Sequence, residues 1–225
     1  MIYYRQGETT LARAMLDKSI QQQVELGISI LKRGGLVAFP TDTVYGLGAS
    51  ANVPQAVERV YRVKERPPSM ALPLLLADIA QISEVAEPVP PIAWLLVNKF
   101  LPGALTIVLP KSKSVPDTIT AGGMSVAIRI PAHPVPVALV RGLGVPVVGT
   151  SANLSGKPSS LTADEVYSQF GDKVDLVIDG GKCPGGREST IVDVSRETPV
   201  VLREGAISEE ELWQVCRSII FRQGG

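Results

Sequence analysis

Histidine is nearly missing from this chain, and that scarcity narrows its chemistry more than any other feature. One histidine, His133, stands among 225 residues. A multi-histidine metal centre is therefore excluded, and any histidine-based triad would have to use that residue. Cysteine is almost as rare. Cys183 and Cys216 form neither a CxxC pair nor a disulfide framework, and they point to a reducing, cytoplasmic setting. Aromatic residues make up only 5% of the chain, too few for repeated base-stacking platforms. Net charge is absent too, with 22 Lys+Arg against 22 Asp+Glu. That balance argues against a nucleic-acid coat protein or a membrane-surface binder, while leaving room for a local basic cleft. No apolar run approaches the roughly 18–20 residues of a membrane span. The opening stretch, MIYYRQGETT, carries no signal-peptide pattern.

What is present is enough apolar material for a core. The chain is 45% hydrophobic, which excludes wholesale disorder. Residues 11–33 read as a helix stopped by Gly34-Gly35. Leu36–Pro40 (LVAFP) reads as a buried strand, and the segment from Pro54 as a helix with Val57, Val60 and Tyr61 on one face. Leu72–Ala77 is a further strand, with Pro73 suited to its edge or its start. Asp78 opens a short helix, and a loop rich in proline precedes another near Trp94–Phe100. Strands are expected at Leu105–Leu109, Val126–Ile130, Val145–Val148, Val174–Ile178, Thr190–Val194 and Val200–Arg203. Helices are expected at Ala163–Phe170, capped by Thr162, and around Glu209–Ser218. No repeat or linker interrupts this alternation, so one α/β domain over residues 1–225 is expected. Several strands are joined too closely for helical crossovers, which predicts a mixed sheet.

Five segments carry candidate chemistry. Lys64, in Lys64-Glu65-Arg66, falls in phase with Val57 on the buried helix face. It needs a counter-charge or an open cleft there, unless it snorkels to water or simply favours the helix C-terminus. In Val147–Gly156 a buried strand runs into a turn dense in hydroxyl, amide and backbone donors, able to hold a phosphate or carboxylate, or to be an ordinary Asx or Ser turn. Pro40–Gly48 (PTDTVYGLG) follows a strand end, where ligands gather in open α/β sheets; a structural hairpin or bulge is the alternative. Ser125, Ala127 and Arg129 project to one face of an extended strand. An arginine so placed suits a partly enclosed carboxylate or phosphate, or else an edge strand in water. Gly185-Gly186, near Cys183, would form a mobile cover or a surface loop. Cys183 reads as a buried thiol, and His133, between Pro131 and Pro134, as structural.

In combination these segments resemble the YrdC/Sua5 family of L-threonylcarbamoyladenylate synthases. The matching pieces are PTDTVYGLGA, KER, PGALTIVL, SVAIRIPAHP, TSANLSGKPS, ESTIVD and LREGAI, in the family's order over about residues 20–207. The KxR and SxN hallmark stands here as Lys64/Arg66 and Ser151/Asn153. The resemblance implies a single YrdC-like domain of the short form: a twisted mixed sheet flanked by helices, with a large concave basic pocket. It implies a nucleotidyltransferase that joins L-threonine, bicarbonate and ATP into threonylcarbamoyl-AMP and pyrophosphate, for t6A37 modification of tRNA. By position, Thr43, Arg129, the Gly149 backbone and Ser189 match threonine contacts. Arg66, Ser125, Ser151, Asn153, Ser159 and Arg203 match ATP contacts, with Lys64 and Arg66 in the catalytic role. Mg2+ would be carried on ATP, with no protein side chain assigned to it. A downstream threonylcarbamoyl-transferase machinery, and tRNA itself, are the implied partners. Two departures stand out. Met70 falls where many members carry a polar or basic residue, and Leu75 replaces a histidine seen in some members. Two rival readings share the resemblance: a double-stranded RNA or tRNA binder without turnover, and a carbamoyl-transfer enzyme of the hydrogenase-maturation type.

Overall fold

The computed structural model describes residues 16–221. Helix α1 (Lys18–Lys32) starts where the Asp17 carboxylate accepts the Ile20 N–H. It ends at Arg33, before Gly34 in the left-handed region. Residues 11–15 of the helix expected from 11 to 33 lie outside the described residues. Strand β1 (Val37–Phe39) turns back into β2 (Gly46–Ser50) as an antiparallel hairpin through the PTDTVYGLG segment. Helix α2 (Pro54–Lys64) ends with Glu65 at φ 53, ahead of Pro67-Pro68. There follow β3 (Leu74–Leu75), α3 (Ile82–Val85), α4 (Pro91–Phe100), β4 (Leu105–Pro110), α5 (Asp117–Thr120) and β5 (Ser125–Arg129). The second half holds α6 (Pro134–Leu143), β6 (Val147–Ser151), α7 (Ala163–Phe170), β7 (Leu176–Val177), β8 (Thr190–Asp193), β9 (Val200–Arg203), α8 (Glu209–Trp213) and β10 (Ile220–Phe221).

Among the described residues the strands form one sheet in the order β10-β9-β8-β4-β5-β3-β6-β2-β1-β7. Four pairings are parallel and five antiparallel, so the sheet is mixed as expected. Several boundaries differ from the sequence reading. The strand expected over Leu72–Ala77 pairs only at Leu74–Leu75, with Pro73 at its start, and it lies in mid-sheet. The strand expected at Val145–Val148 instead runs over Val147–Ser151, so Thr150 and Ser151 belong to the sheet rather than to a turn. The strand expected over Val174–Ile178 is ordered only at Leu176–Val177. The C-terminal helix expected over Glu209–Ser218 stops at Trp213, because the chain then turns to bury Cys216 and Ile219 and to add β10 beside β9. Helix α6 was not anticipated. Pro131 and Pro134 around His133 suggest a rigid turn, but a helix's first turn loses nothing by lacking N–H donors, and His133 caps α6 by accepting the Val135 N–H at 3.2 Å.

The site follows from how unevenly the sheet is covered. One face is buried along its length, where Leu36, Leu47, Leu74, Ile107, Ile128 and Val148 share a cluster with apolar residues of α2, α4 and α7. On the other face, α1 and α6 cover Val37, Phe39, Leu75 and Val147. Beyond Leu75 no helix among the described residues covers that same face. Leu75 pairs with Arg129, and Val108 with Ala127, so their side chains continue one surface onto β5 and β4. Along β4, β5 and β8 the half-exposed Val108, Ala127, Ile191 and Asp193 alternate with buried Ile107, Val126, Ile128 and Val192. A groove therefore has a sheet for its floor and α6 for one bank.

Candidate active site

At one end of the groove, Arg129 closes β5. Its Nε donates to the Gly103 carbonyl at 3.0 Å, one terminal nitrogen to Thr43 Oγ1 at 2.9 Å, and the other to Asp42 Oδ1 at 2.7 Å. Asp42 Oδ1 also accepts the Ala132 N–H at 3.1 Å. Burial pulls the Arg129 pKa down, and the adjoining Asp42 carboxylate opposes that pull. Thr43 is fixed in turn by Thr41, whose hydroxyl lies 3.0 Å away and donates to the Val44 carbonyl. The buried Cys183 sulfur accepts the Thr41 N–H at 3.4 Å, and burial raises that thiol's pKa. The Gly185-Gly186 segment, expected as a cover or a surface loop, is packed on this end. The Gly186 N–H donates to Thr43 O at 3.0 Å, and a Cβ on Gly185 would meet Asp42 O at 2.6 Å.

The hairpin carries these contacts across to the SxN segment. Gly46 pairs with Ser151, and the Ala152 N–H donates to Tyr45 O at 2.7 Å. Arg129 and the 151–153 segment thus lie on the same side of the molecule. Glycine is required along this route. A Cβ on Gly46 would stand 2.8 Å from the Phe39 ring, and one on Gly149 would stand 2.5 Å from Leu75 Cγ. Lys64 arrives from the end of α2 and is 2% exposed. Its ammonium donates to the carbonyls of Ser151 and Asn153, each at 2.6 Å. The Lys64 carbonyl accepts the Ser155 N–H at 2.9 Å, so both ends of the residue hold this segment. Burial first, and then Arg66, push the Lys64 pKa down to about 8, against the pull of Glu188. Asn153 donates to the carbonyls of Leu154 and Lys157 and keeps the loop closed.

At the other end the charges are more exposed. Arg203, at the end of β9, is ion-paired with Glu188 and donates to the Ser189 carbonyl at 2.9 Å. The Ser189 hydroxyl lies 2.8 Å from that of Thr106 on the groove floor. Glu188 Oε1 accepts the Ser159 hydroxyl at 2.6 Å. Burial would raise the Glu188 pKa, but Ser159, Arg203, Ser151 and Lys64 together bring it below the usual carboxylate range. Arg66 spends Nε and one terminal nitrogen on the Met70 and Ala71 carbonyls, at 3.2 and 3.0 Å. The backbone at Met70 therefore has a use that its side chain, 48% exposed, does not share. Ser125 lies on the Arg129 face four residues away, about 13 Å along the strand. There it lines an open cavity of about 400 Å³ with Pro110, Met124, Ser195 and Arg196.

The fold brings Thr43, Lys64, Arg66, Arg129, Gly149, Ser151, Asn153, Ser159, Ser189 and Arg203 into one neighbourhood, with Ser125 at its far end. Sequence reasoning passed over Asp42 and Glu188. Each lies inside a matched motif beside an assigned residue, and an arginine on an apolar strand demands a counter-charge, which was the signal available.

The fold and site define an α/β protein with a groove on one sheet face, lined by buried and half-exposed cations. Residues 29–205 match the Sua5–YciO–YrdC family model, whose description is "Telomere recombination", and the chain belongs to that family. It is 41% identical over 197 residues to the threonylcarbamoyl-AMP synthase of Pyrococcus abyssi, covering 88% of this chain and 58% of that one. The crystal structure of P. abyssi Sua5 complexed with L-threonine superposes with a TM-score of 0.86. The Bacillus subtilis threonylcarbamoyl-AMP synthase is 40% identical, covering 90% of this chain and 59% of its own length. Escherichia coli YciO has a crystal structure that matches at 30% identity with a TM-score of 0.78, covering 85% and 93%. The chain thus spans about three fifths of the two synthases.

Proposed function

We propose that this protein makes threonylcarbamoyl-AMP and pyrophosphate from L-threonine, bicarbonate and ATP. The observation that carries the reading is one groove in which a buried arginine and a cluster of cations stand over a shared floor, close enough that Arg129 feels the charge of Arg203. Arg129 is the partner for the threonine carboxylate, with Thr43, Ser189 and the Gly149 backbone around the amino acid. Lys64, Arg66 and Arg203 face the phosphates, with Ser151, Ser159 and Asn153 shaping that end and Ser125 toward the nucleoside. The threonine amine forms a bond to the carbon of CO2 and gives up a proton, or bonds to the carbon of bicarbonate, whose C–OH bond breaks so that the hydroxyl leaves with the amine proton as water. The carbamate oxygen then attacks the α-phosphorus, and the bond to the departing pyrophosphate breaks. No protein nucleophile is needed, so the residues act by holding two anions together and neutralising charge as it moves to the leaving group.

Mg2+ enters this reading with ATP. Among the described residues no group of three or more His, Cys, Asp and Glu side chains converges, and Glu188 is already engaged. That donor set suits an ion held mainly by phosphate oxygens, where it would offset their charge. Among the described residues no helix is long and apolar enough to cross a membrane. We place the protein in the cytoplasm, supplying a threonylcarbamoyl transferase that acts on tRNA. The test is incubation with threonine, bicarbonate and Mg-ATP, with pyrophosphate measured. Release that depends on threonine is expected, and release indifferent to threonine would refute the reading.

A further inference from the structure

We infer that Glu188 is an internal counter-anion: its carboxylate holds the donors that a phosphate chain requires, so nucleotide entry and pyrophosphate departure are exchanges of one anion for another. The inference rests on the ATP reading above. Glu188 engages Ser159 through one oxygen and Arg203 through the other. Its charge is also felt by Lys64 and Arg66. These four residues are all among those placed at the phosphates, and one carboxylate links them.

Its mounting suits exchange. The Glu188 carbonyl accepts the Ala206 N–H at 2.9 Å, and Gly205 packs against the Glu188 and Ser189 backbone, so the main chain is fixed and the side chain alone can turn. That side chain is 30% exposed. On leaving Arg203 it swings into water rather than being stranded as a buried charge. Asp42 is the contrast within the same groove: 15% exposed, and tied to both Arg129 and the Ala132 N–H, it is built to stay. A carboxylate that remained among the phosphates would repel them, whereas one that exchanges keeps Arg203 and Ser159 in position between turnovers. Glu188 is thus a positioning residue that acts through those two groups.

The test is calorimetric titration of the native protein, Glu188→Gln and Glu188→Asp. The probes are the β,γ-imido analogue of ATP with Mg2+, inorganic pyrophosphate and threonine. Glu188→Gln should bind the analogue and pyrophosphate about tenfold more tightly, with threonine affinity within about twofold of native. Its turnover should fall as pyrophosphate lingers. Glu188→Asp, with a shorter reach, should tighten both by about threefold. Unchanged or weaker binding of both anions in a folded Glu188→Gln would overturn the inference, because a merely structural glutamate can only weaken the site when lost. Should Glu188→Gln fail to fold, the carboxylate 13C resonance of Glu188 in the native protein decides. It should move on adding the imido analogue, and a stationary signal overturns the inference. Native protein that binds neither anion would remove the ATP reading along with it, whereas native binding without tightening in the variants removes this inference alone.

Discussion

Two parts of the groove, each proposed above to receive an anion, are built in opposite ways. At the Arg129 end the guanidinium is buried, its three nitrogens are all committed to Gly103, Thr43 and Asp42, and its counter-ion is nearly as buried as itself. At the Arg203 end the side chains are 41% and 30% exposed, and one glutamate serves several cations. A site fixed in this way selects a small ligand by shape. A looser one receives and releases a larger, more highly charged ligand. Lys64 anchors the 151–153 segment beside them.

Removing that anchor should have the largest effect. Lys64→Ala frees two carbonyls and takes a cation from the phosphates, and turnover should fall about a thousandfold. Pyrophosphate release near the native rate would take Lys64 out of the chemistry. A subtler probe of the same residue is pH. Because the folded pKa is lowered to about 8 from 10.5, the unfolded chain holds a proton between those values that the folded chain has shed. Folding stability should therefore rise with pH across that window, by about 3 kcal/mol from this group. Urea unfolding of native protein and Lys64→Met at pH 7.5 and pH 10 isolates the contribution. An identical pH response in both would show that the ammonium is not held as described.

Arg129→Ala tests the fixed end. The threonine KM should rise about a hundredfold while the ATP KM stays within about threefold. Equal changes in both would erase the distinction between the ends. Gly149→Ala addresses the wall they share. Its Cβ would crowd Leu75, and the strain should cost about 1–3 kcal/mol of stability, read from denaturant unfolding. Arg203→Ala should have the smallest effect on turnover, raising the ATP KM about tenfold and leaving threonine alone, since its charge is half-solvated. A larger effect on threonine would move Arg203 to the other end.

How much of this was legible beforehand depended on whether the signal was local. Lys64 was read as core-facing from its phase with Val57 and Val60, and it is buried. The side of β5 from which Arg129 projects followed from the period of two. Pairing partners were not legible, because nothing local says that the 42–43 turn will meet residue 129 or that residue 188 will meet 159. Asp42 and Glu188 were missed for that reason. The Ser151 boundary was misread because hydroxyl residues suggest a turn, although here they pair with β2. The short β3, in mid-sheet, and β7, at the sheet's edge, keep only two paired residues each, their expected ends being irregular backbone.

The groove draws residues 42, 64, 129, 151, 188 and 203 from six separate stretches of chain, and the sheet order places β2 and β9 on opposite sides of β5. Any molecule that fills the groove therefore acts as a clasp, adding to the few pairwise contacts that already join these segments, Asp42 to Arg129, Lys64 to Ser151 and Glu188 to Arg203. Slow amide exchange gained on its arrival should spread through the central strands as a unit, instead of staying with the loops that hold it.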